Sequence, residues 1–515
     1  MVASADGLAT QAGLTALARG GNAVDAAVAT NAAIAITAPH LCGLGGDLFA
    51  LVHEPGSRPI ALNASGRAGS GADADALMAG GHAGMPLRHD IRTVTVPGCV
   101  DGWVALHGRY GRLSLSDVLA PALALAEEGF PASPLLVGSL ATLDEPARVR
   151  LDDLARQATR PGALVRRRGA ARALRAISDG GRRAFYEGEF GEGLLAVGSG
   201  YFTADDLART QADWVEALAL DAWGHRLWTV PPNSQGYLAL AGAWIAQGLP
   251  LPDDPDDPGW AHLLIEAAVA AGHDRPDVLH EAADGPALID PAHITPRRDA
   301  ISTESISSRW RRALAQQGDT TYLCVVDGDR LAVSLIQSNA AGFGSWLVEP
   351  ATGINLHNRG LGFSLEPDHP ARYGPGRRPP HTLSPLLITR PDGRLAATLG
   401  TMGGDAQPQI LLQLLARLFL HGQHPAAAIA SGRWVLHGEA TGFDTWTSAG
   451  GPGVLVEGQA PATWDQGLRD RGHDVTRAPA FDSAFGHAHT IVVDDDGTLA
   501  SAADPRARIG SAAGT

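Results

Sequence analysis

The sequence predicts a protein of the α+β class, in which helical and strand patterns follow each other along one chain. Residues 8–37 are rich in alanine and follow a helical pattern that breaks only at Gly20-Gly21-Asn22. Near residue 320, a polar stretch gives way to residues 320–326, whose β-branched and aromatic side chains favour a strand. Asp327-Gly328-Asp329 supplies a hairpin turn, and residues 331–336 form its second strand.

The remaining elements are indicated by the same periodicities and by turn residues. An apolar run at 48–52 predicts a buried strand after the glycine-rich loop 43–47, and residues 490–493 predict a late strand. Helices are predicted at 115–129, at 142–180, from Thr203 onward and at 410–420, and a loop at 250–259.

The composition is that of a folded, acidic protein. Hydrophobic residues make up 45% of the 515 residues and charged residues 18%, which is too apolar for a disordered chain. The formal net charge of −15 argues against nucleic acid as a partner. The sequence has no apolar run of 18 residues and no secretory leader pattern, so we expect a cytoplasmic protein without a membrane partner.

Cysteine and histidine patterns predict no disulfide, metal or cofactor. Cys42, Cys99 and Cys324 form an odd set without a C-x-x-C pair. His487 and His489 alternate on the predicted late strand, but no acidic or cysteine ligand stands at a recognised spacing. A Ser-His-Asp triad stays open as an alternative, although the chain has no G-x-S-x-G motif.

The basic side chains exclude several enzyme classes, because all 40 of them are arginines. Without lysine there is no Schiff-base chemistry, no Walker A or kinase lysine, and no Ser-Lys dyad. A protein nucleophile in this chain therefore has to be serine, threonine, cysteine or a carboxylate.

Thr320 is the candidate nucleophile, at the junction between the polar stretch and the hairpin. If the chain were cut before it, its hydroxyl and a free α-amine would share one residue. An α-amine has a pKa of about 7.7 to 8.0 and serves as a general base for its own hydroxyl. The alternative is a threonine that merely favours a strand.

Gly403-Gly404 precedes the predicted helix at 410–420. Consecutive glycines leave backbone N–H groups unshielded at the positive end of a helix, which suits an oxyanion. A tight turn with close packing is the alternative. The loop at 43–47 follows a helix and leads into a strand, which is the wrong order for a dinucleotide fingerprint.

The motifs, taken in order, resemble those of the γ-glutamyltransferase (glutathione hydrolase) family of N-terminal-nucleophile (Ntn) hydrolases, from about residue 7 to about residue 510. The matching stretches are Gly20-Gly21-Asn22-Ala23-Val24-Asp25, Gly43-Leu44-Gly45-Gly46-Asp47, Val96-Pro97-Gly98, Phe185-Tyr186-Glu187-Gly188, Pro231-Pro232-Asn233-Ser234 and Thr320-Thr321-Tyr322-Leu323-Cys324-Val325-Val326-Asp327. The last resembles the family's Thr-Thr-His-x-Ser-Val-Val-Asp signature, whose first threonine is the nucleophile.

The resemblance implies a four-layer αββα sandwich and a precursor that cuts itself between Asp319 and Thr320. A large subunit, residues 1–319, and a small subunit, residues 320–515, would stay packed in one domain. The catalytic set it implies is Thr320 with Ser338, and Gly403-Gly404 would face the oxyanion. The implied assembly is a homodimer or a heterotetramer.

The family's clamp for an amino-acid substrate is altered in this sequence. Ser65 stands where the family has an arginine, and Arg67, two residues later, is the expected carboxylate partner. The family's Asp-Asp pair is replaced by Leu361-Gly362, its paired serines by His381-Thr382, and its Thr-x-Asn arrangement by Ser338-Asn339. Asn339, His381 and Thr382 are accordingly expected to bind substrate.

The resulting hypothesis is a self-processing enzyme that hydrolyses or transfers the acyl group of a small amide, such as glutathione, through an acyl-enzyme on Thr320. Gln337-Ser338 and Arg67 resemble a branch with an oxamate amidohydrolase and acylases, so an enzyme that does not act on γ-glutamyl groups is the first alternative. The alternatives from other classes are a binding or scaffold protein that never matures and a histidine-based metal hydrolase.

Overall fold

The computed structural model describes residues 1–307, 319–437 and 453–515. Its strands are β1 (Val2–Ser4), β2 (Asp47–His53), β3 (Ile60–Ala64), β4 (Phe130–Pro131), β5 (Leu164–Val165), β6 (Asp213–Glu216), β7 (Leu218–Ala222), β8 (His225–Thr229), β9 (Asp319–Val326), β10 (Ala332–Ala340), β11 (Leu347–Glu349), β12 (Ile354–Leu356), β13 (Leu386–Thr389), β14 (Leu395–Thr401), β15 (Trp434–His437), β16 (Gly453–Val456), β17 (Asp474–Arg477), β18 (Ala488–Val493), β19 (Leu499–Ala503) and β20 (Ser511–Ala513).

The helices of the described residues occur singly and in runs between these strands. They are α1 (Gly7–Ala18), α2 (Ala23–Thr37), α3 (Ala74–Ala79), α4 (Cys99–Tyr110), α5 (Leu115–Glu128), α6 (Pro134–Ala141), α7 (Glu145–Arg150), α8 (Asp152–Gln157), α9 (Arg168–Tyr186), α10 (Glu189–Val197), α11 (Ala204–Ala208), α12 (Tyr237–Gln247), α13 (Pro258–Gly272), α14 (Arg275–Val278), α15 (Gly285–Leu288), α16 (Pro291–Arg298), α17 (Gln407–Leu415), α18 (Pro425–Ala430) and α19 (Ala462–Asp470).

Two antiparallel sheets form the centre of the molecule. The first sheet has the strand order β20-β1-β9-β10-β2-β3-β6, and the second has the order β19-β18-β14-β13-β8-β7. Helices α1, α2 and α4 pack on the outer face of the first sheet, with α5 and α9 packed on those helices, and α12 and α17 pack on that of the second, with α13 packed on them. A third apolar cluster, which joins side chains of β2, β9 and β10 to those of β8, β13 and β18, fills the space between the sheets. This arrangement confirms the expected αββα sandwich.

The break that the sequence predicts between the first two helices is confirmed. Gly20 has a positive φ of 89°, and Asn22 caps α2 by accepting hydrogen bonds from the N–H groups of Val24 and Asp25. The Asp25 side chain accepts from the Asn22 N–H in return, which completes a capping box. All fifteen residues of α2 are buried, so this helix lies between the first sheet and α5.

Side chains of β9 alternate between the two faces of the first sheet. Leu323 and Val325 pack into the helix-facing cluster, whereas Tyr322, Cys324 and Val326 pack between the sheets. By the same alternation, Thr320 faces the space between the sheets and Thr321 faces the helices. Thr321 pairs with Gln337 on β10, but Asp319 pairs with Ala340, so β10 has one extra residue in a bulge at 338–339.

Two predicted helices differ from the observed ones. The helical stretch at 142–180 is divided into α7, α8 and α9, because Pro161-Gly162 turns the chain into the short strand β5. The helix predicted at 410–420 begins earlier, at Gln407, and ends in a π-helical turn over Ala416–Leu420. Within the described ranges, every helix is too short or too polar to cross a membrane.

Candidate active site

The Thr320 hydroxyl lies at the end of the layer between the sheets. Its Oγ1 donates a hydrogen bond to Oγ of Ser338, in the β10 bulge, at 3.1 Å. Both residues are buried, with exposures of 1% and 0%. Since Gln337 pairs with Thr321, the next residue along β10, Ser338, lies across from Thr320 where the bulge begins.

Arg359 connects Ser338 to a second segment of the chain. Its guanidinium donates to Oγ of Ser338 at 3.2 Å and to Oγ1 of Thr382 at 3.0 Å. Burial lowers the pKa of Arg359 to about 10, against the opposing effect of the Asp47 and Asp405 carboxylates, so the guanidinium stays protonated at neutral pH. A cation is therefore held one hydroxyl group away from Thr320.

Gln235 connects Thr382 to the glycine pair that the sequence singled out. Its Nε2 donates to the carbonyl oxygens of Thr382 and Gly404, each at 3.0 Å. Gly403 and Gly404 have φ values of 136° and 55°, which only glycine adopts without strain, and they lead directly into α17. A continuous set of side-chain contacts thus runs from Thr320 to this loop.

Asp47 and His381 form a buried pair beside this set. Nδ1 of His381 accepts from the Leu383 N–H, so Nε2 carries the proton and donates to the Asp47 carboxylate at 3.2 Å. Burial lowers the pKa of His381 to about 3, and the ring is neutral at pH 7. Burial acts to raise the pKa of Asp47, but the surrounding histidines and Arg359 outweigh it and hold that pKa at about 2. The other Asp47 oxygen accepts from the Gly66 N–H at 2.9 Å.

Asn339, beside Ser338 in the bulge, anchors the site to the loop after α2. Its N–H donates to the Leu41 carbonyl, and its side-chain Nδ2 donates to the Pro39 carbonyl at 3.1 Å. Its Oδ1 is buried and has no hydrogen-bond partner among the described residues. An acceptor is therefore left for a donor that reaches this end of the site.

The Arg67 guanidinium is bound outside this set of contacts, although the preceding residue, Gly66, contacts Asp47. It pairs with Asp213 at 2.9 Å and lies near the carbonyl of Thr210 and the side chain of Gln211. Arg378 shares the Asp213 carboxylate at 2.8 Å. Arg359, and not Arg67, contacts Ser338. That Arg67 binds a substrate carboxylate stays a prediction.

The histidines predicted to alternate on the late strand are buried neutral rings. Burial lowers the pKa of His487 to about 4 and that of His489 to about 3. Nε2 of His487 lies 2.9 Å from the Ser483 hydroxyl, and Nδ1 of His489 accepts from the Asp504 N–H. Within the described ranges, neither ring belongs to a group of three metal-ligating side chains.

Sequence reasoning missed Arg359, Gln235 and the role of Asp47. The signal for Asp47 was present, since it ends the Gly43-Leu44-Gly45-Gly46-Asp47 motif, and Gln235 directly follows Pro231-Pro232-Asn233-Ser234. Arg359 stands two residues before the altered Leu361-Gly362 position, where the sequence pattern indicates only a loss of carboxylates.

The sequence is similar to that of a known enzyme family over nearly its whole length. The family model described as gamma-glutamyltranspeptidase matches residues 9–514. The oxamate amidohydrolase proenzyme of Klebsiella pneumoniae is 37% identical over 98% of this chain and 97% of its own length. The glutathione hydrolase-like YwrD proenzyme of Bacillus subtilis is 35% identical over the same shares.

The fold agrees with these sequence relatives. The crystal structure of cephalosporin acylase from Bacillus halodurans matches with a TM-score of 0.88 and 35% identity, over 99% of this chain and 94% of that chain. With the family model spanning nearly all residues, the chain belongs to the γ-glutamyltranspeptidase family and is an amide hydrolase of the Ntn type.

Proposed function

We propose that the chain cuts itself between Asp319 and Thr320 and then hydrolyses a small amide through an ester on Thr320. Thr320 Oγ1 attacks the Asp319 carbonyl carbon, the C–N bond breaks, and the hydroxyl proton passes to the leaving nitrogen. Water then hydrolyses the ester, which leaves a carboxylate on Asp319 and a free α-amine and hydroxyl on Thr320. The observation that carries the proposal is the Thr320 hydroxyl, buried and held by Ser338 at 3.1 Å.

The same hydroxyl then acts on the substrate. The Thr320 amine accepts the hydroxyl proton as Oγ1 attacks the amide carbon, and it gives that proton to the departing amine. N–H groups of Gly403 and Gly404 stabilise the oxyanion, and water or an acceptor amine releases the acyl group. Ser338, which already bonds Oγ1, keeps the hydroxyl aimed along the site.

The acyl group is proposed to be small and to carry a carboxylate, as glutathione and oxamate do. Arg359 supports this, because its planar guanidinium is suited to bind a carboxylate. The guanidinium is buried and contacts the same Ser338 hydroxyl that holds Thr320. Thr382 and His381 would line the same end, and Asn339 Oδ1 would accept from an N–H of the substrate. Arg67, which is paired with Asp213, is the alternative partner for the substrate carboxylate.

The two chains produced by the cut are proposed to remain one domain. Strands β9, β10 and β20 of residues 320–515 interleave with β1, β2, β3 and β6 of residues 1–319 in one sheet. Both chains should therefore elute together under native conditions. Assembly into a homodimer or heterotetramer and a cytoplasmic location are further parts of the proposal, to be checked by native mass and by cell fractionation.

Denaturing gel electrophoresis tests the cut with a matched pair of variants. The wild-type chain of 53.3 kDa should give bands of roughly 33 and 20 kDa at about 0.1 kDa per residue. Thr320→Val should remain whole, because it keeps the shape and removes the nucleophile. Thr321→Val, one residue on and facing the helices, should still cut. A wild-type chain that stays whole on incubation would support the scaffold alternative instead.

An amide panel tests the substrate class. Glutathione, a γ-glutamyl anilide, oxamate and glutaryl amides are compared with their uncharged analogues, using the matured protein. Arg359→Ala should lower kcat/KM for the carboxylate substrates by about 100-fold or more, as the loss of a charged hydrogen-bonded pair implies. The effect on uncharged analogues should be smaller. If Arg67→Ala alone shows this selective loss, Arg67 is the carboxylate partner.

A further inference from the structure

His262, Glu266 and His473 bring three metal-ligating side chains together on the far side of the second sheet. All three are buried, and their ligand atoms lie within 4.8 Å of one another. His262 and Glu266 are four residues apart on α13 and so project from one face of that helix. His473 follows α19, which packs against α13.

The His262 ring is oriented as a ligand. Its Nε2 lies 2.8 Å from the Ser302 carbonyl oxygen, which can only accept, so the proton is on Nε2 and the Nδ1 lone pair points inward. That Nδ1 is 2.8 Å from Nε2 of His473. A histidine that gives its outer N–H to a backbone carbonyl and presents the other nitrogen is the usual arrangement around bound zinc.

From these contacts we propose that His262, Glu266 and His473 bind one divalent zinc-type ion. Two nitrogens on a tetrahedral ion with bonds of about 2.0–2.1 Å lie about 3.3 Å apart, so the two rings need to separate by only about half an ångström. Glu266 supplies the negative charge, while its Oε2 already accepts from the Ser307 N–H at 2.8 Å. A water molecule would complete the tetrahedron.

Among the described residues, the arginine two residues before His473 is bound to backbone carbonyl oxygens. This residue, Arg471, directs its guanidinium to the carbonyl oxygens of Thr303 and Gly467. Two imidazoles and one carboxylate favour zinc, cobalt or nickel over calcium and magnesium, which prefer oxygen ligands.

The site would fasten the stretch that precedes the proposed cut. Ser302 and Ser307 are both bonded to ligand side chains, and the Ile306 N–H donates to the Arg471 carbonyl. If the chain matures as proposed above, two ligands belong to the large subunit and one to the small. The ion would then link the two chains, and this consequence alone rests on the proposed function.

Metal analysis of the full-length protein tests the proposal. The wild-type chain and the uncut Thr320→Val variant are purified from zinc-supplemented medium, passed over a chelating resin and assayed by elemental mass spectrometry. Each should retain about one zinc per chain, and added zinc should raise Tm, because a ligand that binds only the folded state stabilises it. Binding by Thr320→Val separates this proposal from that of self-cutting.

Glu266→Gln and His473→Gln are the decisive variants. The glutamine at 266 keeps an oxygen for the Ser307 N–H while the charge is lost. Each should lower zinc affinity at least about 10-fold, measured by competition with a chromophoric chelator. His225→Gln, on β8, is the matched control and should bind as the wild type does. Less than about 0.1 zinc per wild-type chain with no zinc-dependent rise in Tm would overturn the proposal, and so would a zinc affinity equal to that of the wild type in both decisive variants.

Discussion

The layer between the two sheets has an apolar part and a polar end, built from the same strands. Along β9, Tyr322, Cys324 and Val326 pack against apolar side chains of the second sheet, whereas Thr320 meets Ser338. The alternation of side chains along β9 is regular, but the surroundings change from apolar at Tyr322 to polar at Thr320. Side chains of the apolar part stabilise the sandwich, and the dry surroundings they create strengthen each polar contact at the end.

Polar groups in the two parts are used differently. In the apolar part, the Tyr322 hydroxyl has its own partner, the Ser334 hydroxyl, at 2.9 Å. At the polar end, one oxygen, Ser338 Oγ, accepts from Thr320, from Arg359 and from the Ala340 N–H. A substitution in the apolar part should therefore cost stability, while one at the polar end should cost activity.

Acid should destabilise the protein, because several histidines are buried as neutral rings. Burial lowers the pKa of His40, His381 and His489 to about 3 and that of His487 to about 4. In the unfolded chain these rings protonate below about pH 6.5, so the unfolded state binds more protons between pH 6.5 and 4 and stability falls as pH falls. The expected loss from pH 7 to pH 5 is about 2 kcal/mol per histidine.

This loss is measured by urea unfolding of the uncut Thr320→Val variant at pH 7, 6 and 5. His489→Gln should reduce the loss of unfolding free energy between pH 7 and pH 5 by about 2 kcal/mol, the contribution of one histidine. Equal stability at pH 7 and pH 5 would contradict the burial of neutral rings.

Tyr322→Ala should show the largest loss in the apolar part. The ring is fully buried and stacks near His489 with centroids 6.4 Å apart, so its removal should destabilise the protein by about 3–5 kcal/mol. Tyr322→Phe, which loses only the hydroxyl bond to Ser334, should cost about 1 kcal/mol. Urea unfolding checks both, and equal losses for the two variants would mean that the packed ring contributes little.

Ser338→Ala should show the opposite balance at the polar end. Losing the shared acceptor leaves Thr320 without its hydroxyl contact, so kcat/KM should fall about 10- to 100-fold, with a slower cut. Ser334→Ala, on the same strand but bonded to Tyr322, is the control and should leave kcat/KM within about 2-fold. Similar activity losses for both serines would erase the distinction between the two parts.

Gly400→Ala probes the contact between Gly400 of the second sheet and the Tyr322 ring of the first. A Cβ at Gly400 would lie 2.2 Å from that ring, so the sheets would have to shift. Overpacking of this kind costs about 1–3 kcal/mol. The Gly400→Ala, Tyr322→Phe double variant should lose as much as Gly400→Ala and Tyr322→Phe together, because the clash is with ring carbons rather than the hydroxyl. Thermal unfolding of the three variants measures this.

Much of the sandwich could be predicted from sequence, and the reason is local. The Asn22 cap, the 327–329 turn and the alternation after Thr320 each depend on neighbouring residues. The division of the 142–180 stretch was missed because a Pro-Gly turn in a charged region resembles a helical kink. The family motifs extended these local patterns to the whole fold.

The polar end could be predicted only in part. Thr320, Ser338, Thr382 and Gly403-Gly404 were placed by motif, but the residues that join them were not. Gln235 contacts Gly404 across 169 residues of sequence, and Arg359 reaches Ser338 from a turn after β12. Likewise, His262 and His473 are 211 residues apart. Such contacts depend on how the two sheets meet, which no local spacing encodes.

The position of β9 inside the first sheet has a practical consequence. A chain end produced at Thr320 would lie at the start of this strand beside β10, where Thr320 is buried, so it would be shielded from bulky reagents while the protein is folded. Since the sequence has no lysine, amine-reactive dyes can label only backbone amines. Each cut would therefore add one labelling site that becomes reactive on denaturation, and dye incorporation would count mature molecules directly.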